Sequence, residues 1–243
     1  MPAQGVNFES RALFSQQKGA TMHSHHSTQV STLSVAPAPG VFPGPDRNNF
    51  GIGARITLAV MSADYADIIL GALRAADATG LEIETGDVST FVGGAEQDIL
   101  RYLCQLLSAA GRSGAHVAAT VHLSRGCPGE VQCELPGGAG PLRSDVVELE
   151  DAGVAATGEW ALYPLDDGGR DGIEPDHMRD IYAAIGHAKA NATFVRSEHF
   201  VTRLEGDVAR ILETVAAGWV LVGRSVQHVT CHLTLSINSP TSR

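Results

Sequence analysis

Residues 116–124 alternate strictly. Val117, Ala119, Val121 and Leu123 fall on one side, and His116, Ala118, Thr120, His122 and Ser124 on the other. Residues 228–236 repeat this arrangement, setting Val229, Cys231, Leu233 and Leu235 against His228, Thr230, His232, Thr234 and Ser236. A period of two marks a half-buried strand, and Ile56, Leu58 and Val60 show the same period. Elsewhere the period lengthens to that of a helix. Ile68, Ile69, Ala72, Leu73 and Ala76 form one stripe, with Ser62 or Asp64 as its cap and Gly80 as its stop. Ile99, Leu100, Leu103, Leu106, Leu107 and Ala110 form a second, with Gly111 and Gly114 at its end, and Val208, Ile211, Leu212, Val215 and Trp219 a third. Between the first two helices, Leu81 to Val92 turns around Gly86-Asp87, which predicts a hairpin of two short strands.

The two alternating stretches belong to a longer repeat. Arg112–Pro128 recurs as Arg224–Pro240, with seven of 17 positions identical. Upstream, Val88-Ser89 matches Val201-Thr202, Gly93 matches Gly206, Asp67-Ile68 matches Asp180-Ile181, and Thr57-Leu58 matches Ala161-Leu162. The offset grows from 104 to 113 across the first loop, so about nine extra residues are expected within Asp166–Pro175. Each copy then reads strand, helix, strand, strand, helix, strand. This predicts an α+β chain: a tandem duplication of a ferredoxin-like β-α-β-β-α-β unit, with antiparallel sheets and helices on one face. The expected organisation is an extension over 1–50, a first repeat over 51–130, a connector over 131–156 and a second repeat over 157–243.

Composition narrows the function classes. Among 243 residues, 44% are hydrophobic, 18% charged and 5% aromatic, an ordinary balance for a folded chain with a core of Ala, Val, Ile and Leu. Seventeen Lys and Arg against 27 Asp and Glu give −10, which argues against a nucleic-acid groove. No apolar run is long enough to span a bilayer and no secretory leader is seen, so direct membrane insertion is not expected. Residues 1–50 stand apart. They carry five of the eleven prolines, the cluster His23, His25 and His26, and a charge of +1 against −11 for the rest. A loosely attached extension is the reading, with the histidines a solvated tract. Cys104, Cys127, Cys133 and Cys231 show neither C-x-x-C pairs nor zinc spacing, which suits a reducing cytoplasm.

The polar faces of the two long strands are the candidate chemistry. Short hydroxyls and neutral imidazoles offer both donors and acceptors, which suits a small heterocycle with ring nitrogens and an amino group. His122, Ser124 and Ser236 lie there, while His116 and His228, at strand starts, are expected to make structural hydrogen bonds. The turns that follow, Gly126-Cys127-Pro128-Gly129 and Asn238-Ser239-Pro240-Thr241, place a thiol or hydroxyl near the sheet end. Cys127 with His122 as base is a conceivable nucleophile, with no catalytic twin in the second copy. Phosphate loops, nucleophile elbows and dinucleotide fingerprints are not found, so no catalytic or metal residue is assigned.

These residues carry a family likeness. Val88–Gly94, Leu123–Gly129, Ala161–Leu165, Ala190–Val195, Leu204–Asp207 and Leu235–Pro240 keep their order within the duplicated frame. Over roughly 52–240 the chain resembles the YkoF-like thiamine/hydroxymethylpyrimidine-binding family. The resemblance implies a homodimeric, cytoplasmic, non-enzymatic binding protein with one site per repeat, needing no cofactor and linked to uptake of the precursor by a membrane transporter. It points to Thr90 as a pyrimidine contact, with Ser89, Gly126 and Cys127 as neighbours and Arg203 at the position of Thr90 in the second copy, beside Thr202. Thr57, Tyr163, Asn238 and Ser239 complete the expected ligand-binding set. Two other classes compete: a cofactor-independent enzyme on the same duplicated scaffold, and a regulatory module whose exposed sheet binds an effector.

Overall fold

The alternating and helical stretches become twelve elements. The structure, a computed structural model, describes residues 51–126, 146–165, 177–223, 226 and 228–241, all within one compact unit. The first half runs β1 (Gly53–Met61), α1 (Tyr65–Ala75), β2 (Glu82–Thr85), β3 (Thr90–Gly93), α2 (Glu96–Gly111) and β4 (His116–Arg125). The second runs β5 (Ala155–Leu165), α3 (His177–Ala190), β6 (Phe194–Ser197), β7 (Thr202–Asp207), α4 (Val208–Val222) and β8 (His228–Ile237). β5 thus begins inside the expected 131–156 connector. The rest of that connector up to residue 145, the 1–50 extension and the Asp166–Pro175 insertion lie outside the described residues.

The fold is α+β, with an antiparallel sheet and four helices among the described residues. The sheet is continuous, in the order β2-β3-β1-β4-β8-β5-β7-β6. This corrects the expectation of one sheet per half. β4 and β8 pair antiparallel from Val117↔Ile237 to Arg125↔Val229 and fuse the halves at the centre. The physical reason lies in their shared pattern. Both strands are ten residues long with one apolar and one polar face, so pairing them extends both faces without a mismatch.

Helices cover only the apolar face. Val117, Val121 and Leu123 of β4 and Val229, Leu233 and Leu235 of β8 are buried there, with α2 and α4 packed against each other above them. Each such side chain contributes about 1.5–3 kcal/mol by leaving water. Two glycines allow the close approach. A Cβ on Gly111, the last residue of α2, would sit 2.8 Å from Val154 Cγ1 and 2.9 Å from Ile237 Cγ2. At the equivalent end of α4, a Cβ on Gly223 would collide with the Arg125 guanidinium. Arg125 is buried, pairs with Glu96 at 2.9 Å and donates to the Val220 carbonyl at 3.1 Å. The matching positions in the second half are the apolar Val208 and Ile237, both fully buried.

Local details differ from the sequence reading. α1 stops at Ala75, because Ala76 is extended and Asp77 Oδ1 accepts from the Thr79 amide at 2.9 Å. Gly80 lies beyond the helix, at φ +79° in the turn into β2. Asp64 makes no side-chain cap; Ser62 Oγ accepts from its amide at 3.2 Å. Asp207 does cap α4, accepting from the amides of Ala209 (2.8 Å), Ala152 (3.0 Å) and Val154 (3.2 Å). Burial pushes its carboxyl up, but these backbone donors outweigh burial and hold it below the usual carboxylate value. Cys104 and Cys231 are buried thiols; burial raises both, Cys231 to about 12. Among the described residues, no helix is long and apolar enough to cross a membrane.

Candidate functional site

Two places gather polar side chains, one on each side of the sheet. On the helix side, β2 and β3 bring Thr85 opposite Thr90, and their hydroxyls share a hydrogen bond of 3.2 Å. β6 and β7 bring Ser197 opposite Thr202. Thr90 stands next to Ile56 of β1, and Thr202 next to Trp160 of β5. Thr90 is 8% exposed and Thr202 7%. Each half therefore presents one buried hydroxyl over an apolar strand.

Strand register fixes how the halves correspond. Ile56 lies opposite Thr90 and Val121, while Trp160 lies opposite Thr202 and Leu233. The counterpart of Thr90 is therefore Thr202, and that of Phe91 is Arg203. The sequence match, one residue out of step here, had set Arg203 against Thr90. The true offset is 112, and the insertion after β5 is eight residues rather than nine. Arg203 instead lies on the open face, opposite Glu159 and 3.6 Å from it. No guanidinium intrudes on the second hydroxyl pair from that position.

The open face carries the second gathering, along the β4–β8 seam. His116 Nε2 and Ser236 Oγ share a hydrogen bond of 2.9 Å; Ser124 Oγ and His228 Nε2 share one of 3.3 Å. His122 Nε2 lies 2.6 Å from Thr230 Oγ1, and Thr230 donates its own proton to the Leu123 carbonyl at 2.9 Å. A hydroxyl has a single proton, so His122 must be the donor in its pair with Thr230, which fixes its tautomer. Partial burial, and then His232 directly opposite, hold His122 below its ordinary pKa. Nearby, Thr57 donates to the Val88 carbonyl at 3.0 Å, and Arg55 donates to Ser89 Oγ at 3.2 Å while lying over the Phe91 ring. Among the described residues, no group of three or more His, Cys, Asp or Glu is placed to hold a metal.

The model of the YKOF-related family matches residues 51–130 and 155–242. The chain belongs to the YkoF-related family. A Bacillus subtilis (strain 168) protein named "Putative HMP/thiamine-binding protein YkoF" is 28% identical over 191 residues, covering 79% of this chain and 92% of that protein. The two YkoF-related regions coincide with the two β-α-β-β-α-β halves, and each contains one hydroxyl pair. The seam lies between the regions and is shared.

Within this YkoF-related frame the expected site residues divide into groups. Thr57, His122, Ser124, Tyr163, Arg203 and Ser236 share the open face, with Ser89 at its hairpin edge. Thr90 and Thr202 face the helices instead. Gly126 and Asn238 take matching left-handed turns, at φ 84° and 56°. The Asn238 amide donates to the carbonyls of Gly111 (2.7 Å) and Ala115 (3.0 Å), which ties down the end of α2. Ser239 Oγ bonds Thr241 Oγ1 at 2.8 Å. Cys127 lies outside the described residues, so the Cys127–His122 pair does too. Thr85, Ser197 and Arg55 were missed. Thr85 and Ser197 recur 112 positions apart, a signal visible only once the register is right.

Proposed function

We propose that the chain binds thiamine or its hydroxymethylpyrimidine precursor without transforming it, one ligand in each half. The observation that carries this reading is the hydroxyl pair repeated in the two family-matched regions: Thr85 with Thr90, and Ser197 with Thr202. The name of the Bacillus subtilis relative supports the ligand class. An aminopyrimidine has flat apolar faces and an edge of ring-nitrogen acceptors beside an amino donor. Thr85 and Thr90, which share one hydrogen bond, keep a proton and lone pairs for such an edge. Ile56 and Val92, buried on the same side of the sheet as Thr90, keep the surroundings of that hydroxyl apolar.

The same reading takes the halves as ferredoxin-like units from a duplication, since element order and strand register repeat. The protein acts in the cytoplasm as a homodimer that hands on a precursor brought in by a membrane transporter, and it requires no cofactor. Binding rather than catalysis fits the seam imidazoles, whose ring nitrogens serve strand-to-strand hydrogen bonds. The net charge of −10 draws a thiamine cation only within about 8–10 Å at cellular salt, so specificity rests on the hydroxyls. Titration calorimetry with each ligand tests the reading. Saturable binding is expected, and Thr90→Val should weaken the first site about 5- to 150-fold, as loss of a buried hydrogen bond does. Absence of saturable heat for both ligands at millimolar concentration sinks the proposal.

A further inference from the structure

The halves differ in what lies beside their hydroxyl pairs. Ile56 neighbours Thr90 in the first half, and Trp160 takes that place beside Thr202 in the second. The helix above is adjusted to match. α2 carries Leu106 where α4 carries Gly218, and a Cβ on Gly218 would lie 2.6 Å from Trp160 Cη2, 2.7 Å from Cζ2 and 3.2 Å from Ala184 Cβ of α3. The indole thus fills the space that a leucine fills in the first half and is held between α3, α4 and the sheet. The adjoining strand positions follow suit. Leu58 and Val60 of β1 are only half-buried on the helix side, whereas their counterparts Leu162 and Pro164 of β5 are buried. The hydroxyls themselves are equally covered, Thr90 at 8% and Thr202 at 7% exposure, so the halves differ at the neighbouring strand positions, open at Leu58 and Val60 and covered at Leu162 and Pro164.

Resting on the binding reading above, we propose that Trp160 sets the size of ligand the second half accepts. A bare aminopyrimidine needs only the hydroxyl edge offered by Thr202 and Ser197. The thiazolium arm of thiamine has no equivalent of the space around Leu58 and Val60. The second half is therefore selective for the precursor, and the first half takes the whole vitamin.

Calorimetry on the full chain carrying Thr90→Val, which weakens the first site, isolates the second. Hydroxymethylpyrimidine should bind there at least about tenfold more tightly than thiamine, the discrimination that a few heavy atoms of misfit produce. Adding Trp160→Ile should bring thiamine to within about threefold of the precursor. Because that change leaves a hole under Gly218, the pair Trp160→Ile with Gly218→Leu, which rebuilds the first half's packing, is measured alongside. Fluorescence of the buried Trp219 checks that each variant is folded. A ligand preference unchanged in the folded variants overturns the inference, as does loss of all binding with Thr90→Val alone. If neither ligand binds the parent chain, the binding reading itself has failed, a result distinct from an unchanged preference.

Discussion

Replacing Arg125 by Ile tests how the two halves are held together. Arg125 and Glu96 are buried with side-chain exposures of 1% and 7%. Glu96 opens α2 and Arg125 reaches the last turn of α4, so each charge also meets the favourable end of a helix. Arg125→Ile leaves the Glu96 carboxylate buried opposite a hydrocarbon. Stranding one member of a buried pair costs about 3–5 kcal/mol. The protein itself supplies the control, because the second half has Val208 and Ile237 at these positions. The double variant Glu96→Val with Arg125→Ile removes both charges, and such replacements run from neutral to about 1–4 kcal/mol stabilising. Urea unfolding followed by tryptophan fluorescence gives both numbers. With a slope of about 1–3 kcal/mol per molar urea, the single variant should lower the midpoint by about 1–5 M and the double should restore it. A single variant that costs less than about 0.5 kcal/mol, the range of an ordinary surface change, refutes the reasoning. So does a double variant no better than the single.

Other outcomes follow from the seam and the turns. His122 titrates below its ordinary value in the folded chain, first through burial and then through His232. The unfolded chain therefore takes up the proton first, and stability present above about pH 6.5 is lost as pH falls through the folded value. Melting temperature against pH should decline less steeply in His122→Gln, and identical slopes would count against this. Asn238→Ala removes two bonds to the end of α2 and places Ala at φ +56°, so a loss of about 1–3 kcal/mol is expected by chemical denaturation. Asn238→Gly, which tolerates that φ, should lose less; equal losses would show that the backbone conformation does not matter there.

Much of the fold could be read from periodicity. The order of elements and the buried faces of β4 and β8 followed from alternation alone, because a period of two is unambiguous over ten residues. β2 and β3 are four residues long, too short for a pattern to fix which way each side chain points. A slip of one residue there exchanges the faces. That slip set Arg203 against Thr90, although Arg203 belongs with Phe91 on the open face. The fusion of two sheets into one was hidden for a different reason: a half-buried strand shows the same alternation at an edge as at a centre. The backbone bonds of Asn238 to the end of α2 were not legible, because a side-chain amide in a sequence does not reveal which carbonyls it meets. α1 was drawn too long because Ala76 fits the helical stripe, whereas the Asp77–Thr79 turn decides where the helix stops.

Among the described residues, the joining of β4 to β8 leaves only β2 and β6 with unpaired backbone along one side. Both are four residues long. β2 carries Glu82 and Glu84, and β6 carries Arg196 and a register shift beside it. Short, charged and irregular borders discourage a further strand from docking. The molecule therefore spends its two most adhesive strands on itself and ends in two that repel addition. Strand addition between copies of the chain, the route to fibrils, is therefore discouraged at both described edges.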